Sequence, residues 1–300
     1  MKQIYLAHPR GFCSGVTRAI NTVNTVIKET EGPVYVFNEI VHNKIIVNQF
    51  KKRGVIFVQS LNDVPDGEVI IFSAHGVAPA IVSKAKEKNC KIVDATCPLV
   101  EKVHKEATKQ VCAGIHIIYI GHEGHEEVIG VQGEYEQDQL TIIKDASEID
   151  LIPRGKPNYV VLSQTTLNCK DVKNTVTEIQ KHIREVKGGQ TADICYATTA
   201  RQEAVESLSG QVDLFVILGS SNSSNANRLR EIAANKADAY LVDTIQEMNI
   251  ERLSNARNIG LSSGASTPEE LIQDAINYLS NKFDVNIIDN SKDKGAKIEK

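Results

Sequence analysis

The feature that most constrains this chain is an ordered series of strand-like and helical segments that occurs three times. Short β-branched runs alternate with amphipathic stretches, a pattern typical of α/β units built on parallel sheets. The first series begins at Gly32, the second at Gly114 and the third near Asp213; their strand-like runs are PVYVFNEIVHN, GVIFV, EVIIFSAHG and KIVDATC, then HIIYIGHEGH, LTIIKD, NYVVLSQTT and ADICYATT, then DLFVILGSSNSSN, AYLVD and NIGLSSGAS. We therefore expect an α/β fold made of three similar domains.

The third series lacks a fourth strand. The run TPEELIQDAINYLSNKF predicts a helix with Thr267 or Ser266 as its cap and Pro268 at its first position, and a polar segment follows it. The N-terminal run QIYLAHPRGFC ends in a polar loop and a cysteine, as KIVDATC and ADICYATT do, so we expect it to supply the missing strand. The predicted domains are residues 14–96, residues 97–194, and residues 195–281 together with 1–13, followed by a polar tail at 282–300.

Corresponding strand ends carry corresponding polar residues. Three positions follow the first strands, three end the third strands and three end the fourth: His42, His125 and Ser223; His75, Thr165 and Ser266; Cys97, Cys195 and Cys13. Ligands of open parallel sheets bind outside the carboxyl ends of the strands. Three such units facing one another would point nine polar loops at a common centre.

Three cysteines at equivalent turns can hold one soft metal centre. The set Cys13, Cys97 and Cys195 fits zinc with an open position, or a cubane iron–sulfur cluster with three Cys-bound irons, and the spacing does not decide between them. The alternative is three unrelated buried thiols, because cysteine is a common core residue. The remaining Cys90, Cys112 and Cys169 lie outside the pattern, and we expect them to be core or surface residues.

Two loops carry groups suited to acid–base chemistry or to anion binding. In GHEGHEEVIG, Glu126 stands where a zinc-protease HExxH motif needs its second histidine, which excludes that class. His125 and Glu127 remain on this loop, where a carboxylate is a proton donor or, alternatively, a solvated charge or a helix cap. The segment LGSSNSSNANRL places hydroxyl and amide donors at a strand-to-helix turn, which predicts an anion site, simple N-capping being the alternative.

Composition excludes several other classes of protein. The 34 Lys and Arg against 38 Asp and Glu give a net charge of -4, and without a basic stripe or a Trp the chain does not resemble a nucleic-acid binder. It has no signal-peptide pattern and no apolar run of about eighteen residues, so we expect a cytoplasmic protein with no membrane partner. It also lacks the GxxxxGK and GxGxxG motifs of nucleotide sites.

The motifs taken in order resemble those of one family. They are HPRGFCSGVTRAI, NEIVHNK, FSAHGV, DATCPLV, GHEGHEEVIG, SQTTL, DICYATTARQEAV, GSSNSSNANRL and GAST. Together they resemble the 4-hydroxy-3-methylbut-2-enyl diphosphate reductase (LytB) family, up to about residue 280. The resemblance implies an oxidoreductase that reductively dehydroxylates this allylic diphosphate to isopentenyl and dimethylallyl diphosphate, the last step of the non-mevalonate pathway of isoprene biosynthesis.

The resemblance also implies an architecture, a cofactor and residue roles. It implies a pseudo-threefold cloverleaf around a [4Fe-4S] cluster held by Cys13, Cys97 and Cys195, with one open iron, and ferredoxin or flavodoxin as electron donor. Glu127 and Thr165 would act at the substrate hydroxyl, and His125 would serve both there and in substrate binding. The diphosphate would be bound by His42, His75, His125, Ser223, Ser224, Asn225 and Ser266.

This chain departs from the family pattern in a few positions. Ser14 and Thr17 replace Ala and Asp, and Glu126 replaces the Pro before Glu127, a change that could alter the stiffness of the loop and the acidity of Glu127. The sequence shows no obvious cationic partner for Glu127, so we expect burial to raise its pKa. Two other functions use similar centres: a redox sensor, which usually carries an output domain, and a cluster dehydratase, which eliminates water without consuming electrons.

Overall fold

The computed structural model describes residues 1–136, 138–184, 186–188 and 193–289. In these ranges the chain has a mixed α/β fold with parallel sheets, as predicted. The strands are β1 (Lys2–Leu6), β2 (Val34–Phe37), β3 (Val55–Val58), β4 (Val69–Phe72), β5 (Lys91–Asp94), β6 (His116–Ile120), β7 (Leu140–Ile143), β8 (Tyr159–Ser163), β9 (Val186–Gly188), β10 (Leu214–Leu218), β11 (Asp238–Val242), β12 (Asn258–Ser263) and β13 (Val285–Asp289). The α-helices are α1 (Ser14–Glu29), α2 (Lys44–Lys52), α3 (Pro79–Glu87), α4 (Pro98–Cys112), α5 (Glu126–Gln132), α6 (Cys169–His182), α7 (Tyr196–Ser209), α8 (Ser224–Ala234), α9 (Ile250–Asn255) and α10 (Glu269–Lys282).

The three sheets share one strand order. The four-stranded sheets run β3-β2-β4-β5 and β7-β6-β8-β9, and the five-stranded sheet runs β11-β10-β12-β1-β13. In each, the first strand of the series lies between the second and the third. The N-terminal strand β1 pairs in parallel with β12, with Leu6 opposite Leu261. The prediction that the N-terminus supplies the fourth strand of the third series is thus confirmed.

One strand was not predicted. After α10 the chain forms β13, which pairs in parallel with the outer edge of β1, with Lys2 opposite Val285. The polar tail predicted from residue 282 is therefore wrong for residues 285–289, because Val285 packs against the apolar core of this sheet. Residues 290–300 of that predicted tail lie outside the described residues.

The fourth strand of the second series also lies elsewhere. We expected it in ADICYATT, but α7 begins at Tyr196, and the strand that pairs with β8 is β9. The preceding helix ends earlier than its sequence pattern suggested: α6 stops at His182, where Ile183 already has extended backbone angles. The chain therefore returns to the sheet sooner, and residues 189–192 lie outside the described ranges.

The chain divides into two compact units. The first comprises Met1–Cys13, His42–Ile45 and Tyr196–Lys300, and it contains the five-stranded sheet; the second comprises Ser14–Val41 and Ile46–Cys195, and it contains both four-stranded sheets. The division of the second unit into two domains, with the predicted boundaries, stays a prediction. Within the described ranges, no helix combines the length and the apolar composition needed to cross a membrane.

Each unit buries central strands of its sheets on both faces, which explains their continuous apolar runs. In the first unit, Leu214, Val216 and Leu218 of β10 pack with Ile272 and Leu279 of α10 on one side of the sheet. Phe215 and Ile217 point to the other side, where they pack with residues of α7 and α8. In the second unit, β6 alternates in the same way between the α6 side and the side of α4 and α5.

Candidate functional site

The three predicted ligand cysteines share one backbone environment. Each immediately precedes a helix, namely α1, α4 and α7. Each amide donates a hydrogen bond to the carbonyl two residues beyond the end of the third strand of its series: Cys13 to Ala265 at 3.0 Å, Cys97 to Ala74 at 2.9 Å and Cys195 to Thr165 at 3.0 Å. All three side chains are half-buried. A thiol next to a helix N-terminus has a favourable setting for the thiolate form.

The residues predicted to follow the first strands also occupy equivalent positions. His42, His125 and Ser223 each stand five residues after the end of β2, β6 and β10. The residues predicted to end the third strands are not fully equivalent, because Thr165 stands one position nearer to the end of its strand than His75 and Ser266 do. Thr165 itself supplies the carbonyl that accepts from a cysteine amide, whereas His75 and Ser266 each follow the residue that does so.

In the second unit, α5 places Glu127 in a buried position beside Thr165. His125 is the N-cap of α5, and its Nδ1 accepts a hydrogen bond from the Glu127 amide at 3.2 Å. The Glu127 side chain is buried, at 2% exposure. Its Oε1 accepts from the Thr165 hydroxyl at 3.0 Å, and its Oε2 accepts from the Thr165 amide at 2.9 Å. The carboxyl group is therefore fixed by two bonds to one residue.

The acidity of Glu127 follows from this setting. Burial raises the pKa of Glu127, and it outweighs the lowering effects of the bonds from Thr165 and of the charges on His75 and His104. The raised pKa confirms the expected direction. The sequence shows no obvious cationic partner for Glu127, and the fold supplies two histidines, because it brings His75 from the β4 loop and His104 from α4 close enough to influence the Glu127 pKa.

The residue before Glu127 makes the contact that the sequence analysis missed. The Glu126 Oε2 atom lies 2.5 Å from Nδ1 of His75, and the two side chains are 17% and 14% exposed. The His75 ring is edge-on to the His125 ring, with 6.0 Å between the centroids. A lone Glu next to a candidate catalytic Glu carries no signal in sequence for a partner about fifty positions earlier.

These contacts form one continuous network within the second unit. Cys97 is bonded to the residue before His75, His75 to Glu126, the adjacent Glu127 to Thr165, and Thr165 to Cys195. The structure thus brings together five predicted site residues of this unit around α5. They are His75, Glu127, Thr165, Cys97 and Cys195, with His125 at the helix cap.

In the first unit, the anion-site segment surrounds the start of α8. Ser223 is the N-cap and its Oγ accepts from the Ala226 amide at 3.3 Å, and Ser224 is the first helical residue. Asn225 is 4% exposed, and its side chain accepts from the Ala265 amide at 3.0 Å and donates to the Thr198 hydroxyl at 3.4 Å. Because Ala265 is bonded to Cys13, Asn225 links this helix to the cysteine turn.

Ser266 and Thr267 do not cap α10 as predicted. The N-cap position is Pro268, with no side-chain hydrogen bond. The Ser266 hydroxyl donates to the His42 carbonyl at 2.9 Å, and the Thr267 hydroxyl donates to the Leu218 carbonyl at 3.0 Å. Both hydroxyls therefore tie loops together, and Ser266 joins two predicted site residues of this unit.

Further residues that support the first-unit site were missed in the sequence. The buried Arg201 of α7 donates to the Gly11 carbonyl at 2.7 Å, and the Gly11 amide donates to the Ser263 hydroxyl at 2.8 Å. Gly11 has a φ of +72°, in the left-handed region that favours glycine. An arginine in a helix usually suggests an exposed side chain. The one sequence signal for a buried role of Arg201 was its position within the motif DICYATTARQEAV.

Known proteins share sequence and fold with this chain. The family model described as LytB protein matches residues 4–280. The chain is 42% identical over 281 residues to the 4-hydroxy-3-methylbut-2-enyl diphosphate reductase of Tolumonas auensis, covering 92% of this chain and 91% of that protein. It is 43% identical to the reductase of the same name from Histophilus somni, over 92% of this chain and 90% of that protein.

Two solved structures are similar as well. The E-1-hydroxy-2-methyl-but-2-enyl-4-diphosphate reductase from Plasmodium falciparum matches with a TM-score of 0.92 at 36% identity, over 100% of this chain and 94% of that chain. A structure of (E)-4-hydroxy-3-methyl-but-2-enyl diphosphate reductase, described as the terminal enzyme of the non-mevalonate pathway, matches with a TM-score of 0.67 at 32% identity, over 94% of this chain and 100% of that chain. The resemblance read from the motifs is confirmed, and the chain belongs to the LytB protein family of 4-hydroxy-3-methylbut-2-enyl diphosphate reductases.

Proposed function

We propose that this protein catalyses the reductive dehydroxylation of 4-hydroxy-3-methylbut-2-enyl diphosphate to isopentenyl and dimethylallyl diphosphate. The observation that carries the proposal is the buried Glu127–Thr165 pair, bonded through Thr165 to the backbone of Cys195. An acid held next to a candidate ligand cysteine suits a reaction in which a hydroxyl must leave as water. The names of the relatives and of the similar solved structures support the same substrate.

The cysteines fit an iron–sulfur centre by their chemistry. Cys13, Cys97 and Cys195 are half-buried cysteines with matching backbone bonds, and soft thiolates are the ligands that such clusters take. We infer that they hold a [4Fe-4S] cluster with one iron left without a cysteine. When bound, the cluster supplies electrons to the substrate and a Lewis-acidic iron for the substrate hydroxyl.

Neutral and cationic donors bind the diphosphate in this proposal. In the second unit, Nδ1 of His125 accepts from the Glu127 amide, so the proton of the neutral ring is on Nε2, which can donate to a phosphoryl oxygen. His75 supplies a ring paired with Glu126. In the first unit, the start of α8 offers backbone amides and the side chains of Ser223, Ser224 and Asn225, together with His42 and Ser266.

Glu127 and Thr165 supply the proton to the leaving oxygen. A protonated Glu127 donates to the Thr165 oxygen, which frees the Thr165 hydroxyl hydrogen for a hydrogen bond to the substrate hydroxyl. The carbon–oxygen bond breaks, the hydroxyl leaves as water with this proton, two electrons enter, and a second proton adds to carbon. The His125 ring accepts a hydrogen bond from the Glu127 amide and so orients Glu127. We assign His125 to the catalytic residues for that reason.

The electrons come from outside the chain in this proposal. A ferredoxin or a flavodoxin is the class of donor that we infer, and we place the protein in the cytoplasm, with no nucleic-acid or membrane partner. Both inferences rest on the family resemblance and on the composition.

The experiment is anaerobic purification followed by iron and sulfide analysis and an assay with and without reductant. We expect about four iron and four sulfide per chain, and products formed only when a reductant is supplied. A cluster dehydratase would consume the substrate without reductant, and a redox sensor would not consume it at all. Either result would overturn the proposed activity.

Individual Cys→Ser variants identify the ligands. Replacing Cys13, Cys97 or Cys195 should remove bound iron and its visible absorbance, because each removes one thiolate. Variants at Cys90, Cys112 and Cys169 are the matched controls and should keep both. Loss of absorbance in a well-folded control variant would contradict the assignment.

A further inference from the structure

The contact between Glu126 and His75 has no part in the proton transfer described above. Its two atoms are 2.5 Å apart, and both side chains are more than four-fifths buried. The Ser73 hydroxyl also approaches the same Glu126 oxygen at 3.4 Å. A short, largely buried pair of this kind is held much more firmly than a surface ion pair.

We propose that Glu126 is a positioning residue for the diphosphate: it holds the His75 ring by Nδ1 and keeps a positive charge on that ring. The inference rests on the proposed function, because it assigns the charge to the anionic part of that substrate. It gives Glu126, which stands where the family pattern has Pro, a role that the family pattern does not provide.

The neighbouring His125 is neutral, in contrast to the charged His75. Nδ1 of His125 accepts from the Glu127 amide, so it cannot hold a proton while that bond exists. Its ring is 6.0 Å from the His75 ring, and two charged imidazoles at that separation repel each other. The geometry therefore favours one cation, on His75, and one neutral donor, on His125.

The carboxyl groups of the second unit that face His75 favour the same assignment. Glu126, Glu127 and Glu39 are carboxyl groups near the ring. Gly76, the next residue, lies against the His104 side chain of α4, whose Nδ1 is 2.5 Å from Glu134. Within the second unit, three carboxyl groups therefore act on His75, and the neighbouring His104 ring has a carboxylate of its own.

The pKa of His75 agrees with the geometry. Burial alone would lower the pKa of His75, but the hydrogen bond and charge of Glu126, with smaller contributions from Glu127 and Glu39, outweigh burial, and the pKa is raised. Without Glu126, burial would hold the pKa of His75 below its ordinary value. Between that lowered pKa and the raised pKa, the ring is charged with Glu126 present and neutral without it, and at pH values below both it is charged in either case.

The test compares Glu126→Gln with wild type, using Glu123→Gln as the control on an exposed position of the same loop. The histidine ring nitrogens are titrated by NMR in the holoenzyme, with His75→Gln identifying the His75 signal. Binding of inorganic pyrophosphate is measured at two pH values chosen from these titrations, one between the His75 pKa values of Glu126→Gln and wild type and one below both, and each variant is compared with wild type at the same pH. This comparison removes the effect of the ionisation of pyrophosphate itself.

We expect Glu126→Gln to lower the pKa of His75 and to weaken pyrophosphate binding about tenfold at the pH between the two His75 pKa values, the scale of one charge-assisted hydrogen bond, with less than a twofold change at the pH below both. Glu126→Asp should restore part of the binding at the higher pH, and Glu123→Gln should match wild type. An unchanged His75 titration, or equal losses at both pH values, would overturn the inference.

The outcomes separate this inference from the proposed function. Normal reductase turnover together with an unchanged His75 titration in Glu126→Gln would overturn the role of Glu126 and leave the activity standing. Wild-type protein that binds no pyrophosphate at either pH would overturn both. If Glu126→Gln does not fold, Glu126→Ala is measured in the same way and the same results decide.

Discussion

At the scale of single residues, the site combines groups whose ionisation is set by burial and by close partners. Glu127 is neutral more readily than an exposed carboxyl group because burial raises its pKa. His125 is held as a neutral donor by its bond to the Glu127 amide, and His75 is paired with Glu126. The three adjacent residues 125–127 at the start of α5 therefore determine the protonation of Glu127, His125 and His75.

Replacing Glu127 by Gln tests the proton donor. Gln keeps the size and one hydrogen bond to Thr165 but removes the acid, so turnover should fall by about two or more orders of magnitude while the substrate still binds. Single-turnover kinetics under anaerobic conditions, with spectroscopy of the cluster, measure chemistry and binding separately. Near-normal turnover would show that the proton comes from another group.

The raised pKa of Glu127 also predicts the pH profile of turnover. The neutral form is the donor, so the rate of the chemical step should be high below the raised pKa and should fall as the pH rises through it. Glu127→Gln should lose this descending limb. A descending limb that persists unchanged in the variant would assign the titration to a different group.

Thr165 separates positioning from proton transfer. Thr165→Ser keeps the hydroxyl that bonds Glu127 and should keep most of the turnover, whereas Thr165→Val keeps the shape and loses the relay, with an expected fall of about a hundredfold in kcat. The measurement is kcat and KM for both variants. Equal activities of the Ser and Val variants would exclude a relay through the hydroxyl.

At the scale of secondary-structure elements, the last strand holds the turn that precedes Cys13. Arg10 lies in this turn and is 12% exposed. Its guanidinium bonds both carboxylate oxygens of Asp289 at the end of β13, at 3.2 and 3.0 Å, and bonds Glu269 at the start of α10 at 2.9 Å. The C-terminal strand thus stabilises the N-terminal loop of the same unit.

Asp289→Asn tests this attachment. The substitution leaves a largely buried guanidinium with one charged partner, so it should lower the free energy of unfolding by about 1–2 kcal/mol. Asp284→Asn is the control, because Asp284 is 81% exposed and lies 3.6 Å from the N-terminal amine. Denaturant unfolding of both variants is the measurement, and equal effects of the two would contradict a specific role for Arg10.

At the scale of the whole molecule, a buried neutral histidine makes the fold sensitive to acid. His116 in β6 is 3% exposed, and its ring nitrogens bond the Asp138 carbonyl and the Thr141 hydroxyl, each at 2.9 Å. Burial is the main reason that its pKa is lowered, and Lys156 adds to the lowering. The unfolded chain therefore takes up this proton more readily than the folded protein does.

The sign of the effect follows from that difference. As the pH falls from about 6.5, the ordinary value for histidine, toward the lowered pKa of His116, the folded state loses stability. His116→Asn should flatten this part of the stability curve, although it costs stability at pH 7, while the exposed His182→Asn should not change the slope. Denaturant midpoints between pH 5 and pH 8 measure it, and equal slopes in wild type and His116→Asn would refute the assignment.

Much of the fold could be predicted because its signals are local. Continuous apolar runs such as LFVIL indicate strands buried on both faces, and their three-fold series predicts three similar α/β units. The similarity of QIYLAHPRGFC to the other cysteine-ending runs places β1 as a fourth strand. The three cysteines occupy equivalent positions in the three series, and so do the residues that follow the first strands, because turns at strand ends are short and regular.

Where prediction failed, a competing tertiary interaction decided. The run VNIID forms β13 because β1 offers a free edge and a core for Val285, neither of which exists in the isolated segment. Ser266 and Thr267 suit a helix cap by their chemistry, yet carbonyls of His42 and Leu218 take their hydroxyls. Helix α6 ends at His182 because the chain must pair with β8, although its pattern continues.

Local patterns in the amino-acid sequence were enough to predict the α/β class, the three similar series of strands and helices, and the family, because periodicity and ordered motifs are properties of short stretches of chain. The ionisation of Glu127, the partner of Glu126 and the role of Arg201 became visible only in the folded chain. Each of these depends on burial or on a contact between residues distant in sequence: 38 positions for Glu127 and Thr165, and 190 for Arg201 and Gly11. Electrostatic free energies are set by such distances and by the exclusion of water, and neither exists until the chain has folded.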